Sequence, residues 1–568
     1  MKTTPSIKTS AAQICGAIGT INLRKLLSQC FATLAACVFI PPTPVLAQLE
    51  TVVEFTGTSG INKGRSPEAG LAGDGAGFFW GTTEQGGANN FGTVFKVNVG
   101  TGALTTLVDF TGNGASNKGS GPRAGLSNDG AGFFWGTTNQ GGANGLGTVF
   151  KVNLATGVLT TLVEFTGNGA SNKGSFPAAG LARDGAGFFW GTTSLGGAND
   201  FGTVFKINQS TGVLTTLVEF TGTGGINRGR EPNSALVSDG AGFFWSITYV
   251  GGANDHGTVF KVKASTGALT TVIDFTGTSG PNKGSEPSAE LVRDGTGFFW
   301  GTTVIGGTND IGTVFKVKAS TGALTTQVEF TGTSGINQGS FPEAGLTSDG
   351  AGFFWGTTEQ GSASNLGTVF KVNVASGALT TMVGFTRNGT SNKGNFPRAR
   401  LVRDGAGFFW GTTAGGGAGD FGTIFKIAAF RPDLLVGLKK SALKGNGIYN
   451  TTGAGQTQAV RVPIGGDVKV PMKIQNDAPV PDSLAVRGTA GNTNFRVNYF
   501  HGTKNVTASV VAGTFNTGLL AAGKSVSLTA RITARTEVAG KRRTLSITAK
   551  SVGDPTARDK VLIHAKSR

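Results

Sequence analysis

AGLAGDGAGFFWGTTEQGGANNFGTVFKVNVGTGALTTLVDF, residues 69–110, decides the fold, because the same frame returns around Trp80, Trp135, Trp190, Trp245, Trp300, Trp355 and Trp410. These are all seven tryptophans of the chain, each 55 residues from the next, with no insertion or deletion in any copy. A fixed period of this length is the mark of a repeat architecture. Within the frame, four segments rich in Phe, Val and Thr are separated by Gly, Asn and Asp, which predicts a four-stranded antiparallel meander. Its strands are expected as A (69–74), B (78–83), C (92–98) and D (104–110). The Asp74-Gly75-Ala76-Gly77 turn joins A to B, and the stretch around Gly100 and Gly102 joins C to D.

Strand B sends Phe78 and Trp80 to one face and Phe79 to the other, so both faces of each small sheet need a neighbour. Stacked four-stranded blades around a channel meet that need. The repeat region opens with a lone D-type strand, Leu49–Phe55, and closes with A, B and C segments only, near 399–404, 408–413 and 422–427. The expected fold is therefore all-β: a seven-bladed β-propeller over 48–430, closed by its N-terminal strand. A linear array would expose unpaired edges and would need polar capping repeats, which are absent.

WGTT, a GG-containing loop and GTVFK, recurring seven times over 49–427, resemble the GloVer-type tandem repeat of exported bacterial proteins with variable C-terminal anchoring modules. The resemblance implies export and a propeller-like array, and it implies no particular activity.

From Arg431 the tryptophan rhythm stops, and alternating stretches such as DVKVPMKIQ, SVSLTARITA and TLSITAKS predict an Ig-like β-sandwich of seven to eight strands over 431–568. The net charge of +17 divides unevenly. Residues 48–427 hold 24 basic against 25 acidic side chains, whereas 428–568 hold 21 against 7, an excess of +14. Such a module attracts an anionic envelope polymer, although a basic surface also serves solubility alone. No stretch pairs aromatic and basic residues in a nucleic-acid motif, so nucleic acid is not an expected partner.

Residues 1–47 read as a signal peptide: Lys2, Lys8, Arg24 and Lys25 without an acid, an apolar run from Leu26 to Ile40, and Val45-Leu46-Ala47 before the cleavage point. Leu34-Ala35-Ala36-Cys37 offers the alternative of a lipoprotein anchored through Cys37. Cys15, Cys30 and Cys37 all lie in this segment, so no disulfide is expected in the mature chain, and no spanning helix follows. The expected location is extracytoplasmic, secreted or envelope-associated.

Catalytic candidates run out quickly. The histidines, His256, His501 and His564, form no metal-ligand spacing, and no catalytic residue, metal or cofactor is expected. The recurring Asp74 to Asp404 series leads into DG turns and fits turn chemistry. The Glu54 and Asp109 series, ending at Gly384, reads as strand-surface acid. D-to-A links and B-to-C loops share one rim, where propellers bind partners. The links carry Asn followed by a cation: Asn62-Lys63, Asn117-Lys118, Asn172-Lys173, Asn227-Arg228, Asn282-Lys283 and Asn392-Lys393, with Asn337-Gln338 as the exception. This series is either a ring of amide and cation donors or ordinary turn chemistry beside solvated lysines. Asp200, Asp255, Asp310 and Asp420 in the B-to-C loops suggest a weaker calcium reading. The entrances to strand A vary, with Glu68, Arg123, Asn233, Glu343 and Arg398 expected near the channel mouth beside Ala178 and Ser288. The fourth copy departs most, with WSIT-Tyr249 for WGTT and His256 where others carry Phe, Leu or Ile. The expected function is non-enzymatic binding or scaffolding of a polar polymer, glycan or cell-surface protein. The alternatives are a structural or adhesion spacer, or a polysaccharide-active lyase or hydrolase.

Overall fold

A computed structural model of the protein describes residues 49–568 apart from 536 and 538; the signal peptide and the Cys37 anchor lie outside the described residues. In the first repeat the strands are Ala72–Gly73, Phe78–Thr83, Thr93–Asn98 and Leu104–Asp109. B and C pair from Phe78 with Asn98 to Thr83 with Thr93, and a bulge after Val94 shifts the register of D. The six-residue strands follow from β-branched and aromatic residues in alternation. Asp74 closes the A–B turn: its carboxylate accepts from Ala76 N at 2.7 Å, Phe78 N at 3.1 Å and the Trp80 indole at 3.2 Å.

Strand A is a correction to the expected 69–74, since only Ala72–Gly73 forms a ladder. The preceding residues are drawn toward the neighbouring sheet, where a threonine of strand B supplies the bond: Thr82 Oγ1 donates to the Ala124 carbonyl at 3.4 Å, and Thr137 to that of Ala179 at 3.2 Å. Gly81 packs tightly beside Trp80, where a Cβ would lie 2.5 Å from the Phe95 ring and 2.8 Å from Leu71, and only the fourth repeat carries a side chain here, Ser246.

Seven four-stranded antiparallel sheets result, numbered here by their tryptophans in chain order. Six are contiguous in sequence. The seventh joins Val402–Arg403, Phe408–Thr413 and Thr423–Ala428 to Leu49–Glu54. Each sheet packs its tryptophan on the second phenylalanine of the next sheet's strand B. Ring centroids lie 5.2 Å apart for Trp80 and Phe134, 4.6 Å for Trp135 and Phe189, and 4.6 Å for Trp355 and Phe409. The last tryptophan, Trp410, meets Phe79 of the first sheet at 5.5 Å, in a cluster that includes Val53 and Phe55. The arrangement is propeller-like, and every sheet buries both faces.

The remaining chain forms two packed five-stranded sheets. One runs in the order Pro432–Val436, Asp467–Asn476, Ser525–Ala534, Phe495–His501 and Lys504–Asn505; the other Thr457–Val462, Arg558–Ser567, Arg542–Ser551, Asp482–Gly488 and Phe515–Leu520. Ten strands stand where seven to eight were expected, because short edge segments without clear alternation also pair. Leu434, Val470, Tyr499, Ile532 and Val561 are among the side chains of its core. Ala478 and Ala557 of this module, with Phe430 at the junction, pack against Trp355 and Phe409, so it rests on the sixth and seventh sheets. Among the described residues no helix is long and apolar enough to cross a membrane.

Leu49–Glu54 completes the seventh sheet, and Val53 is 3% exposed. Val53→Asp buries an unpartnered charge there and is expected to cost about 3–5 kcal/mol. Chemical denaturation should show the loss, whereas Thr51→Ser, at a half-buried position of the same strand, should leave stability within about 0.5 kcal/mol.

Candidate functional site

The strand-A segments of all seven repeats converge on a cavity of about 580 Å³. Each reaches it through a repeated proline, and the residue before that proline has a positive φ in every copy, as at Ser66 (53°) and Glu286 (55°). Glu68, Arg123, Asn233, Glu343 and Arg398 all line the cavity, as expected for a channel mouth.

Arg398 is the centre of this mouth. Its guanidinium lies 2.8 Å from Glu68, 2.7 Å from Glu359 and 3.3 Å from Glu343. Burial and the adjacent Glu359 carboxylate push the Glu343 carboxyl up to about 7, against the pull of Arg398. Burial, then Glu84, also raises Glu68. Arg123 pairs with Glu84 at 2.5 Å, and Ser194 Oγ meets Asn233 Oδ1 at the same distance. Two residues further along the chain, Arg400 reaches across Gly345 to Glu290 at 2.8 Å. A Cβ on Gly345 would sit 3.3 Å from the Glu290 carbonyl. The charged groups gather on one side, while Ala178 and Ser288 stand at the equivalent positions elsewhere. Glu359, Glu290 and Arg400 were missed in the sequence; their signal was charge at positions that vary between copies, Glu359 matching Glu84 of the first repeat, and Glu290 and Arg400 sharing one position that is Gly or Ala in the other copies.

The Asn–cation series has a different place. Each asparagine amide donates to a carbonyl eight residues earlier, as Asn62 to Glu54 at 3.1 Å, Asn117 to Asp109 and Asn172 to Glu164 at 3.4 Å, Asn227 to Glu219 at 3.2 Å, Asn282 to Asp274 at 3.1 Å and Asn392 to Gly384 at 3.4 Å. The turn chemistry is what these amides do. The cations are corrected from free donors to ion pairs with the D-strand acid of the sheet they lead into. Lys63 meets Asp109 at 2.8 Å, Lys118 meets Glu164 at 2.7 Å, Lys173 meets Glu219 at 3.0 Å, Arg228 meets Asp274 at 3.2 Å, Lys283 meets Glu329 at 2.9 Å and Lys393 meets Glu54 at 2.8 Å. The exception proves informative, since Gln338 leads into the sheet whose acid is replaced by Gly384. Both charges are missing together.

The fourth repeat's departures serve packing. Ser246 donates to the carbonyls of Ser234 at 3.1 Å and Ala235 at 3.3 Å. Tyr249 donates to Glu286 at 2.6 Å, and His256 Nδ1 lies 3.0 Å from Ser285 Oγ. Burial and Glu286 raise the Tyr249 phenol. The two side chains meet at neighbouring link residues, Glu286 and Ser285, and Glu343 of the Arg398 cluster adds to the upward push on Tyr249. Asp200, Asp255, Asp310 and Asp420 each accept from a glycine N–H four residues earlier, at 2.7, 2.9, 2.9 and 2.7 Å. Among the described residues no three acids, histidines or cysteines group as metal ligands.

On the C-terminal module the basic excess takes a defined face. Arg461, Lys566 and Arg542 stand opposite one another across three adjacent strands. Lys550 and Arg558 form a further cross-strand pair on the same sheet. Most of the acids are withdrawn, with Asp433, Asp482, Asp554 and Asp559 buried and Asp467 paired to Arg531 at 2.9 Å.

No curated protein sequence matches the chain. Among solved structures, the GH74 xyloglucanase of Xanthomonas campestris is similar at 12% identity and a TM-score of 0.44, over 70% of this chain and 59% of that one. A PL25 ulvan lyase reaches 9% identity and 0.40 over 68% and 95%, and TolB of Acinetobacter baumannii 11% and 0.32 over 57% and 66%. At these values they assign no activity to this chain. The sequence profile described as the Gloeobacter/Verrucomicrobia repeat matches residues 39–238 and 226–425, which is the whole repeat region with its alternating tryptophan and phenylalanine interfaces. The chain belongs to the Gloeobacter/Verrucomicrobia repeat family.

Proposed function

We propose that this chain is an exported, non-enzymatic binding scaffold. In this reading the seven sheets are blades of a propeller closed by its own first strand, and the channel mouth around Arg398 receives a polar group of a glycan or cell-surface protein. The basic face of the C-terminal sandwich attaches the molecule to an anionic envelope surface. Closure is supported by the contact of Trp410 with Phe79, which repeats between last and first sheets the packing seen between consecutive ones. The observation that carries the binding role is the convergence of Glu68, Glu343 and Glu359 on Arg398, which lines the cavity together with Glu68 and Glu343. A pocket with few convergent polar groups is the usual form of a ligand site. The place of action is extracytoplasmic, with secretion or anchoring through Cys37 as the two routes.

A second reading as a polysaccharide-active enzyme is favoured by one feature, the Glu343–Glu359 carboxyl pair with Glu343 near neutrality. Such pairs divide acid and base roles. Release of new reducing or unsaturated ends from an envelope polysaccharide, lost in Glu343→Gln, would establish it in place of the binding reading.

Three outcomes are expected. In a glycan and envelope-fraction screen, Arg398→Leu should weaken the selected ligand by about tenfold or more, since it leaves three carboxylates facing one another; unchanged affinity would remove the channel mouth from the account. Attachment through the sandwich should fall steeply between low and high salt, and Arg461→Ser with Lys566→Ser should flatten that dependence in the full chain. Finally, Glu343 holds its proton more tightly folded than unfolded, so its contribution to stability is present below the ordinary glutamate range and is lost as pH rises through about 7. Asp433, pushed up to about 7 chiefly by burial, acts in the same direction. The melting temperature should drop by about 2–4 °C between pH 5 and pH 8, and Glu343→Gln with Asp433→Asn should remove most of that slope.

A further inference from the structure

One lysine recurs on strand C of every sheet, and its amino group lies over the two aromatic rings that strand B presents beside it. The Nζ atom is 4.9 Å from the Phe78 centroid and 5.8 Å from that of Trp80 for Lys96, 4.7 and 5.9 Å from Phe133 and Trp135 for Lys151, and 4.6 and 5.6 Å from Phe353 and Trp355 for Lys371. Such a cation is attracted by the ring faces and keeps room for an anion on its open side.

Two of the seven lysines meet a carboxylate of the chain itself. Lys426 lies 3.1 Å from Glu50, its partner in the ladder. Every other copy carries threonine at that ladder position, as Thr105 opposite Lys96 and Thr160 opposite Lys151. In the sixth sheet the missing acid comes from the sandwich: Asp554 pairs with Lys371, and both side chains are 3% exposed. The loop that brings it is built to do so. Asp554 N donates to Ser551 Oγ at 2.8 Å, and Thr556 donates to the second carboxylate oxygen from its N–H at 3.1 Å and its hydroxyl at 2.7 Å. Around the ion pair, Ala478, Val480 and Ala557 cover Phe353 and Trp355, and Pro479 closes on Gly407. Five lysines are left, Lys96, Lys151, Lys206, Lys261 and Lys316, and among the described residues none has an ion pair. The one in the second sheet borders a groove of about 460 Å³, which Asp129, Phe133, Trp135 and Gln209 also line.

We propose that sheets one to five present repeated docking sites for an aspartate-bearing loop of a partner protein, of the kind that residues 551–558 place on the sixth sheet. The occupied copy defines the chemistry: one carboxylate for the ammonium group and small apolar side chains for the aromatic edge. A uronate polymer also supplies the first, but the occupied copy is filled by a protein loop whose carboxylate comes with Ala478, Val480 and Ala557 over the rings, and that pairing is what a partner loop reproduces. The sites lie beside the A–B and C–D turns, whereas the Arg398 cluster lies among the D-to-A links, so the proposal stands apart from the channel-mouth reading.

The test uses the full chain and the blocked peptide Ser-Val-Gly-Asp-Pro-Thr-Ala-Arg, followed by calorimetry and by chemical shifts of the indole N–H groups. The peptide should bind in the millimolar range at several equivalent sites. Its counterpart with asparagine for aspartate should bind about tenfold more weakly or not at all. Combined Lys96→Gln, Lys151→Gln, Lys206→Gln, Lys261→Gln and Lys316→Gln should abolish binding in a chain that still folds, and Lys151→Gln alone, which removes the fewest ring contacts, should remove one site and silence the Trp135 shift. Equal binding of the two peptides, binding indifferent to the lysines, or no binding at 10-millimolar order (roughly the weak limit for a single exposed pair) would overturn the proposal. Lysine-dependent binding of oligogalacturonate tighter than that of the peptide would overturn the protein partner.

Discussion

The tryptophan of each repeat lies against a phenylalanine of the following one, and this contact is the joint on which the molecule is assembled. A four-stranded sheet with aromatic residues on both faces cannot stand alone in water. It gains its stability by burying one large ring from its own strand B and one from its neighbour's. Trp135 on Phe189, at 4.6 Å, and Trp410 on Phe79, at 5.5 Å, are the same interaction at distant points of the chain. Each indole is also held by the aspartate of its own A–B turn in every sheet but the sixth, where the Trp355 indole has no hydrogen-bond partner among the described residues. That is the sheet against which the C-terminal module packs.

The ion pairs add a second layer. Lys63 with Asp109 and its equivalents fasten each link to the outermost strand of the next sheet, where the groups are about one-third exposed. Pairs of that exposure contribute little individually. Their value lies in placing the link, and with it the strand-A entrance that faces the channel. The loss of both partners at Gln338 and Gly384 is tolerated because the asparagine bond, Asn337 to Glu329 at 3.1 Å, is retained.

Against this regular frame the variable residues acquire meaning. Arg398, Glu343 and Glu359 are ordinary surface charges by composition, yet the stacking of sheets gathers them into one partly buried cluster. The same frame turns a lysine of strand C, which looks like a routine polar position in an alternating strand, into a cation seated over two rings.

The sequence by itself determined the repeat unit, its four strands and the junction between the first and last segments, because period-two alternation and turn residues are local signals read within ten residues. It also marked the variable entrances to strand A, which line one cavity, since variation at one position of a constant frame is visible in a list of copies. It did not reveal that link cations pair with acids 46 residues away, nor that Asp554 meets Lys371 across 183 residues. Strand A was read too long for the same reason: threonine side chains of an adjacent sheet, rather than its own ladder, hold its first residues. These contacts join segments whose approach depends on how sheets stack and where the sandwich rests, and that stacking is decided by burial of aromatic faces between successive sheets.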